Sequence, residues 1–106
     1  MSNASVFSAL ADPTRRSLLL TLAEHDHRTA TQFADDYPIT RQGVLKHLHV
    51  LKDAGLVTVY QQGREKRYVL TPEPLSELVD WVDELNTQWE ARLQRLKAFV
   101  ESAESR

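Results

Sequence analysis

Apolar residues recur at helical spacing between positions 40 and 54, and this is the most informative stretch of the pattern. Val44, Leu48 and Leu51 follow one another at steps of four and three, which predicts a helix with one buried face. Thr40 precedes the stretch as a helix N-cap, and Gly55 follows it where a helix ends in a left-handed residue. The opposite face is polar and carries Arg41, Gln42, Lys46, His49 and Lys52.

Two runs rich in β-branched and aromatic residues come next and predict a β-hairpin. We expect strands over residues 56–60 and 66–70, joined through residues 61–65. Gly63 offers the positive φ that a tight connection between strands requires. Three cations stand at or beside the expected tip, namely Arg64, Lys66 and Arg67.

The first part of the chain is predicted to be helical. We expect a short helix over residues 5–10 and a second one that is capped by Asp12 and starts at Pro13. The second helix turns its apolar set toward the core: Leu18, Leu19, Leu22 and Ala23. Arg15 and Arg16, in its first turns, either contact DNA or lie on the surface.

A short third helix is expected over residues 32–35, capped by Thr29 or Thr31. With the Thr40 helix it forms a helix-turn-helix pair. The predicted fold class is mainly α with a small β-hairpin, a winged helix-turn-helix. We expect a single domain over residues 1–106, with its winged-helix core at about 5–71 and a C-terminal dimerisation helix at about 72–100.

The C-terminal segment carries a long apolar stripe at steps of three and four. Its members are Leu75, Leu78, Val82, Leu85, Trp89, Leu93, Leu96 and Val100. A helix of about 26 residues is about 39 Å long, whereas a domain of about 100 residues has a radius of gyration near 13 Å. Unless the helix folds back or frays, we expect the stripe to pack across the two-fold axis of a homodimer. The expected interface residues are Phe7, Leu10, Trp81, Leu85, Trp89, Leu93 and Leu96.

Composition narrows the class of protein. The 106 residues suit one small domain, and no apolar run approaches the ~18 residues of a membrane span. The sequence contains no cysteine, which excludes disulfides and thiolate metal ligands. We therefore expect a cytoplasmic protein with no membrane partner. An enzyme is not indicated, because no triad spacing or glycine-rich loop accompanies the acidic residues of the last helix.

Charge is distributed unevenly along the chain. The formal net charge is −2, yet residues 40–70 hold six cations against two anions, a local balance of +4. The remaining residues carry −6. Because a polyanion responds to the local field, the cationic stretch governs which partner can bind.

These features predict binding to double-stranded DNA. A helix of about 14 residues, roughly 21 Å long, can lie in a major groove, where its polar face donates to phosphates and reads base edges. The cationic hairpin would touch the backbone or minor groove beside it. The candidate contacts from the residues are Thr40, Arg41, Gln42, Lys46, His49, Arg64 and Arg67. The alternative is a winged-helix module that binds proteins, which the cationic stretch argues against.

Three segments resemble the ArsR/SmtB family of bacterial transcriptional regulators: ALADPTRRSLLLTLAE, TRQGVLKHLHVLKDAGLV and QQGREKRYVL. The resemblance covers about residues 6–100 and is strongest where KHLHVLKDAGLV stands for the family's HLxxLxxAGLV core. It implies a homodimer, usually a repressor that an inducer releases from its operator. By position it also implies DNA contacts at Arg41, Gln42, Leu45 and Lys46. Leu45 departs from the family's common serine, and it could meet a thymine methyl group instead of a phosphate.

The metal sites of this family have no counterpart in the sequence. One site uses a Cys-x-Cys pair, which falls on Thr29 and Thr31, and the other falls on Pro72, Pro74, Leu85 and Gln88. None of these is a plausible ligand for zinc, nickel or cobalt, so we expect no metal and no cofactor. His25 and His27 have a spacing that can chelate, although solvated loop histidines are the simpler interpretation. His47 is expected to be hydrogen-bonded and partly buried.

Overall fold

The computed structural model describes residues 3–104, within which lie five helices and one antiparallel hairpin. The elements in order are α1 (Asn3–Leu10), α2 (Pro13–Glu24), α3 (Ala30–Asp36), α4 (Arg41–Asp53), β1 (Val57–Gln62), β2 (Glu65–Leu70) and α5 (Glu73–Glu104). Residues up to Leu75 form one compact unit, and residues from Ser76 form a second. The element order confirms the predicted fold class, with its small hairpin and long C-terminal helix.

The core of the first unit is built from leucines of several helices around Phe33. Its largest fully buried side chains are Phe33, Leu18, Leu22, Leu48, Leu51, Leu56 and Val44. The buried face predicted for α4 is therefore confirmed. The expectation for Ala23 is wrong, because Ala23 is exposed. It lies one residue beyond Leu22, and each residue turns a helix by about 100°.

Side-chain caps fix where the first helices begin. The Asp12 carboxylate accepts hydrogen bonds from the backbone N–H groups of Arg15 and Thr14, at 3.1 and 2.7 Å. The bond from Arg15 is the main cause that holds the pKa of Asp12 below its ordinary value. Thr29, and not Thr31, caps α3 and forms a reciprocal capping box with Gln32. As a result α3 starts two residues earlier than predicted.

Gly55 stops α4 and redirects the chain into β1. Its φ is 79°, and its N–H donates to the carbonyl of Lys52 at 2.9 Å. The next N–H, from Leu56, donates to the carbonyl of Leu51, also at 2.9 Å. This pair of bonds is a Schellman motif, which satisfies carbonyls that the helix end would leave free. Leu56 is fully buried, so the turn also places a core side chain.

The hairpin is tighter than the sequence suggested. Its register pairs Val57 with Leu70 and Gln62 with Glu65, which leaves a loop of only Gly63 and Arg64. The expectation of a connection over residues 61–65 is therefore wrong. Gly63 has a φ of 63° while Arg64 does not enter the left-handed region, a pattern typical of a type II′ turn.

A third segment extends the hairpin at its β2 edge. Arg28 forms an isolated antiparallel bridge with Tyr68. The N–H of His27 donates to the carbonyl of Tyr68 at 3.0 Å, and the N–H of Tyr68 donates to the carbonyl of Arg28 at 2.8 Å. The connection between α2 and α3 is thus tied to the middle of β2.

The helix α5 spans 32 residues, about 48 Å at 1.5 Å per residue, and none of its residues is buried. It extends four residues beyond the predicted end at 100. Its apolar stripe is exposed from Val82 onward, with Trp89 at 54 % and Leu96 at 58 %, while Leu75 and Leu78 are half-buried. Across residues 3–104, no helix combines the length and apolarity that a membrane span requires.

We predict that Gly55→Ala lowers the free energy of unfolding by about 1 kcal/mol, because a Cβ is disfavoured in the left-handed conformation. The matched control is Gly43→Ala inside α4, where a new Cβ would meet its nearest atom, Thr40 Oγ1, at 3.4 Å, an ordinary contact. The control should be neutral or stabilising, since alanine favours helix. Urea denaturation measures both, and equal effects of the two substitutions would contradict the prediction.

Candidate nucleic-acid interface

One exposed face of α4 carries Gln42, Lys46 and His49, which follow at steps of four and three. Their side chains point away from the buried Val44 and Leu48 because of the helical period. Within the described residues Lys46 forms no ion pair, whereas His49 Nε2 lies 3.2 Å from a carboxylate oxygen of Asp53. This face offers a free amide and a free ammonium group to a ligand.

Thr40 stands at the start of this face as the N-cap of α4. Its hydroxyl oxygen accepts a hydrogen bond from the N–H of Gly43 at 3.0 Å. The side chain is exposed, so its hydroxyl hydrogen is still available to a partner. The main role of the Thr40 side chain is therefore to cap α4, and any contact of its hydroxyl with a ligand is additional.

A groove of about 590 Å³ lies between the start of α3, the first turns of α4 and the hairpin. Arg41 and Leu45 line it from α4, and Arg64, Lys66 and Arg67 line it from the hairpin. Arg41 Nε also donates to Thr31 Oγ1 at 3.3 Å, which draws the guanidinium toward α3. The groove therefore gathers several hydrogen-bond donors of positive charge, the arrangement that binds phosphate oxygens.

Tyr68 lies beneath these cations and is buried. Burial raises the pKa of its phenol, while the positive charge of Arg41 lowers it by a smaller amount. Because the phenol stays neutral at ordinary pH, it places no negative charge among the cations. Among the described residues that line the groove, Glu65 is the only anion, and its carboxylate is bound by Arg67 at 2.7 Å.

Leu45 lies on α4 between the exposed polar face of that helix and the hairpin. It is half-buried and lines both the main groove and a second one of about 250 Å³. His49, Lys52 and Lys66 share that second groove. Leu45 therefore packs between the two cationic elements and leaves part of its side chain accessible.

Arg67 lies within β2, away from the loop, and its side chain is held by residues outside the loop. It pairs with Tyr60, three residues into β2, and its side chain is half-buried. Its guanidinium donates to the carbonyl of His27 at 2.8 Å and to the carboxylate of Glu65 at 2.7 Å. The expectation that Arg67 stands at a protruding tip is wrong, because the loop is shorter than predicted. Arg64 remains at the tip.

His27, whose carbonyl binds Arg67, also helps to attach the hairpin to the rest of the fold. It adopts a φ of 69°, a conformation that non-glycine residues rarely hold without support. The support comes from the backbone bonds to Tyr68 and from a hydrogen bond between His27 Nδ1 and the hydroxyl of Tyr60. The imidazole is therefore part of the attachment of the hairpin. Among residues 3–104 no three His, Asp or Glu side chains come together in a way that could hold a metal ion.

Arg15 and Arg16 connect α2 to the end of α1. Arg15 donates to the carbonyls of Ala9 and Ser8 at 2.7 and 3.1 Å, and Arg16 donates to the carbonyl of Leu10 at 2.7 Å. Cations beside the last carbonyls of a helix favour its dipole. Arg15 also lies 3.5 Å from Nδ1 of the half-buried His47, as expected for a hydrogen-bonded histidine.

Sequence reasoning did not include Lys66 among the candidate contacts, and it left Thr31 open between a phosphate contact and a cap of α3. The alternation of side chains along β2 could have identified Lys66, because alternate residues of a strand lie on the same face. Lys66 lies on the same face as Tyr68, which turns toward the core, so both line the two grooves beside α4. For Thr31 the signal was ambiguous, since either threonine could cap α3.

The interface residues expected on α5 lie on an exposed surface, and those on α1 are less uniform. Phe7 is exposed, whereas Leu10 is half-buried. Exposed side chains on α5 are Trp81, Leu85, Trp89, Leu93 and Leu96. Their role as a dimer interface stays a prediction.

Comparison with known proteins identifies relatives of this chain. A family described as a helix-turn-helix domain matches residues 10–60. An uncharacterized HTH-type transcriptional regulator of Bacillus subtilis (strain 168), YuzN, is 41 % identical over 88 residues, which cover 74 % of this chain and 94 % of the relative. The transcriptional repressor SdpR of the same organism is 32 % identical over 78 residues, or 74 % of this chain and 86 % of the repressor.

Solved structures agree with these relatives. An ArsR-like transcriptional regulator from Rhodococcus sp. RHA1 superposes with a TM-score of 0.75 at 35 % identity, covering 92 % of this chain and 91 % of that one. The homodimeric winged helix-turn-helix DNA-binding domain Mb0332 from Mycobacterium bovis superposes with a TM-score of 0.64 at 26 % identity. The match covers 80 % of this chain and 78 % of that domain.

We predict that Arg67→Ala lowers the free energy of unfolding by about 1–3 kcal/mol, because it removes the hydrogen bonds that the guanidinium makes to the His27 carbonyl and the Glu65 carboxylate. The control Arg64→Ala removes a similar side chain from the exposed tip and should change stability by less than about 0.5 kcal/mol. Thermal and urea unfolding measure the difference. If the two variants were equally stable, Arg67 would not anchor the hairpin.

Proposed function

Because the chain belongs to the ArsR family of winged-helix transcriptional regulators, we propose that it is a homodimeric repressor that occupies a pseudo-palindromic operator in double-stranded DNA. The observation that carries the proposal is the convergence of Arg41, Arg64 and Lys66 on one groove beside the exposed polar face of α4. Such a surface suits a duplex, whose phosphates flank the base edges that a helix reads. The protein would act by binding, without catalysis, in the cytoplasm.

The two parts of the surface have different tasks in this proposal. Gln42 reads a base edge in the major groove, where an amide can pair bidentately with adenine. Lys46 and His49, on the same face, meet phosphates along the groove. Leu45 offers an apolar contact to a thymine methyl group. The contacts of Gln42 and Leu45 would give the sequence preference, while Lys46 and His49, with Thr40 at the start of the helix, would add affinity.

The hairpin and α3 hold the DNA backbone. Arg41 and Arg64 donate to phosphates at the groove, and Thr31 orients Arg41 through its hydroxyl. Arg67 keeps the hairpin in place through His27, and it contacts DNA only secondarily. Contacts of this kind carry most of the affinity and little of the specificity.

The homodimer is supported by the exposed stripe on α5 and by the homodimeric relative Mb0332. A dimer would bury the stripe and present two α4 helices to successive major grooves, about 34 Å apart. The proposed interface includes Trp81, Leu85, Trp89, Leu93 and Leu96, with Phe7 and Leu10 of α1. Each buried side chain of this size contributes about 1.5–3 kcal/mol.

Repression would follow from occupancy of a promoter, and the relative SdpR is named a transcriptional repressor. An inducer, of unknown identity, would release the operator if it bound better to a dimer whose α4 helices are wrongly spaced. The affinity for DNA would fall by the ratio of inducer affinities for the two states.

We predict different losses for Gln42→Ala and Lys46→Ala, measured on the operator selected from random duplexes by the purified protein. The selected sequence should be an inverted repeat with half-sites about one helical turn apart. Loss of Gln42 should cost about 1–3 kcal/mol and blur the preference at one base pair. Loss of Lys46 should weaken binding to all sequences and reduce the salt slope by about one unit.

The outcomes separate a DNA reader from other winged-helix proteins. Equal losses on all sequences for both variants would remove Gln42 from base reading. Enrichment of no sequence, with weak binding only at low salt, would argue that the domain binds a protein partner instead.

We predict that Trp89→Glu or Leu93→Glu yields monomers with at least about tenfold weaker operator binding, because a carboxylate cannot be buried in an apolar interface. Ala98→Glu, on the opposite side of α5, is the control and should leave the dimer intact. Sedimentation velocity reports the assembly state. Unchanged dimers in the two stripe variants would place the interface elsewhere.

A further inference from the structure

The groove between α3, α4 and the hairpin holds more positive charge than its own anions neutralise. Four cations line it, namely Arg41, Arg64, Lys66 and Arg67, and Glu65 is the one anion among its described lining residues. The net charge of this lining is therefore +3, four cations less one anion. The carboxylate of Glu65 is already bound by Arg67 at 2.7 Å. Within the described residues the other three cations form no ion pair.

Hydrogen-bond donors also gather at one end of the groove, where α3 begins. Arg41 Nε donates to Thr31 Oγ1 at 3.3 Å, and the hydroxyl hydrogen of Thr31 remains available because the oxygen acts as the acceptor. The side-chain oxygen of Gln32 accepts from the N–H of Thr29 at 2.9 Å, which leaves the amide NH₂ group of Gln32 available. This end of the groove therefore offers a guanidinium, a hydroxyl and an amide, with no carboxylate among them.

The groove has the size and the lining of a small-molecule site. Its volume of about 590 Å³ falls within the range of roughly 300–1,000 Å³ that is usual for ligand pockets. Tyr68 lies beneath the cations as a neutral phenol, and the half-buried Leu45 adds an apolar contact from α4. A small anionic ligand could therefore enter among the cations and pack against an apolar side chain.

We propose that this groove binds a small ligand with two adjacent phosphate groups, and that the ligand competes with DNA for the same cations. One phosphate group carries about −1.5 to −2 charges at pH 7, so two groups are needed to balance a lining of +3. Phosphate oxygens also suit guanidinium groups, which donate in a planar fork. The competition rests on the proposed function, and it assigns a chemical class to the inducer of the operator.

Such a ligand would release DNA without a change of fold. Arg41 and Arg64 are the residues proposed to hold the DNA backbone, and they cannot donate to it while they bind a diphosphate. Gln42 and Lys46 do not line the groove, so the polar face of α4 would stay unoccupied. The ligand would thus remove backbone contacts, which carry most of the affinity. The apparent dissociation constant for the operator would rise in proportion to the concentration of ligand above its own dissociation constant.

The first test is a titration of the full chain without DNA. The probes are adenosine diphosphate, inorganic pyrophosphate and adenosine, followed by calorimetry and amide NMR at about 0.15 M salt, which screens distant charges. We expect the two diphosphates to saturate one site per protomer with a dissociation constant below about 1 mM, with shifts concentrated at Thr31, Arg41 and Lys66. Equal shifts at Arg92 and Arg95, which are exposed cations of α5, or a failure to saturate would overturn the proposal.

The three probes also identify what the groove recognises. Tighter binding of adenosine diphosphate than of pyrophosphate would indicate a nucleotide whose organic part contacts the lining, for example Leu45. Equal binding of the two would indicate an inorganic diphosphate. Binding of adenosine as tight as that of adenosine diphosphate would exclude a phosphate site.

Substitutions locate the site. Arg41→Gln and Lys66→Gln should each weaken diphosphate binding by at least about tenfold, because each removes a charge-assisted hydrogen bond. The matched control Lys46→Gln removes one cation from α4 outside the groove and should change the affinity by less than about twofold. All three side chains are exposed, so the variants should fold, which circular dichroism verifies. Equal weakening by the three variants would mean that net charge alone attracts the probe.

Displacement of operator DNA separates this inference from the proposed function. Pyrophosphate should displace a labelled operator, whereas sodium chloride of equal ionic strength should displace clearly less. Binding of the diphosphate with no such difference would refute the competition. Operator binding in a chain that binds no diphosphate would refute the groove site alone. Diphosphate binding in a chain that selects no operator would refute the proposed function alone.

Discussion

The burial of one side of α4 is the constraint on which the remaining structure depends. Val44, Leu48 and Leu51 are fully buried, so the helix can neither rotate nor slide without exposing them. Its polar side is thereby fixed toward solvent, with Gln42 and Lys46 accessible. A rotation of one residue would turn this face by about 100° and bury a cation. The proposed reading of a duplex by α4 would thus depend on packing on the opposite side of the same helix.

The end of α4 at Gly55 extends this constraint from the helix to the hairpin. Because Leu56 is buried directly after the turn, the start of β1 is held against the same core as α4. Tyr68 then fixes β2, since its side chain is buried and its backbone bonds reach Arg28 and His27. The two cationic elements are therefore parts of one rigid assembly. A phosphate backbone that contacts both meets donors whose spacing is set before binding, which lowers the entropy cost of association.

Periodicity and caps were sufficient to predict the elements, because these signals are local. The stripe of α4, the cap at Thr40 and the glycine at position 55 all act within a few residues of one another. The departures arise from contacts between distant parts of the chain. Arg67 binds the carbonyl of His27, forty residues earlier, and no pattern along either segment reports this. Likewise, the sequence left Arg15 and Arg16 open between a DNA contact and a place on the surface, and it did not report their hydrogen bonds to the carbonyls at the end of α1.

The hairpin ends in a loop of only Gly63 and Arg64. The residues that set how far the hairpin extends are therefore different from the residues that attach it to the core. Everything that fixes the hairpin lies at or below Arg67, while only the loop and its flanking residues extend beyond it. Each pair of residues added symmetrically at the loop would move the tip outward by about 3.3 Å and leave the groove beside α4 unchanged. The length of the hairpin can therefore be varied, by evolution or by design, without changing the contacts that attach it to the core. In this chain the loop has its shortest form, which would confine the proposed contact of Arg64 to the part of the duplex immediately beside α4.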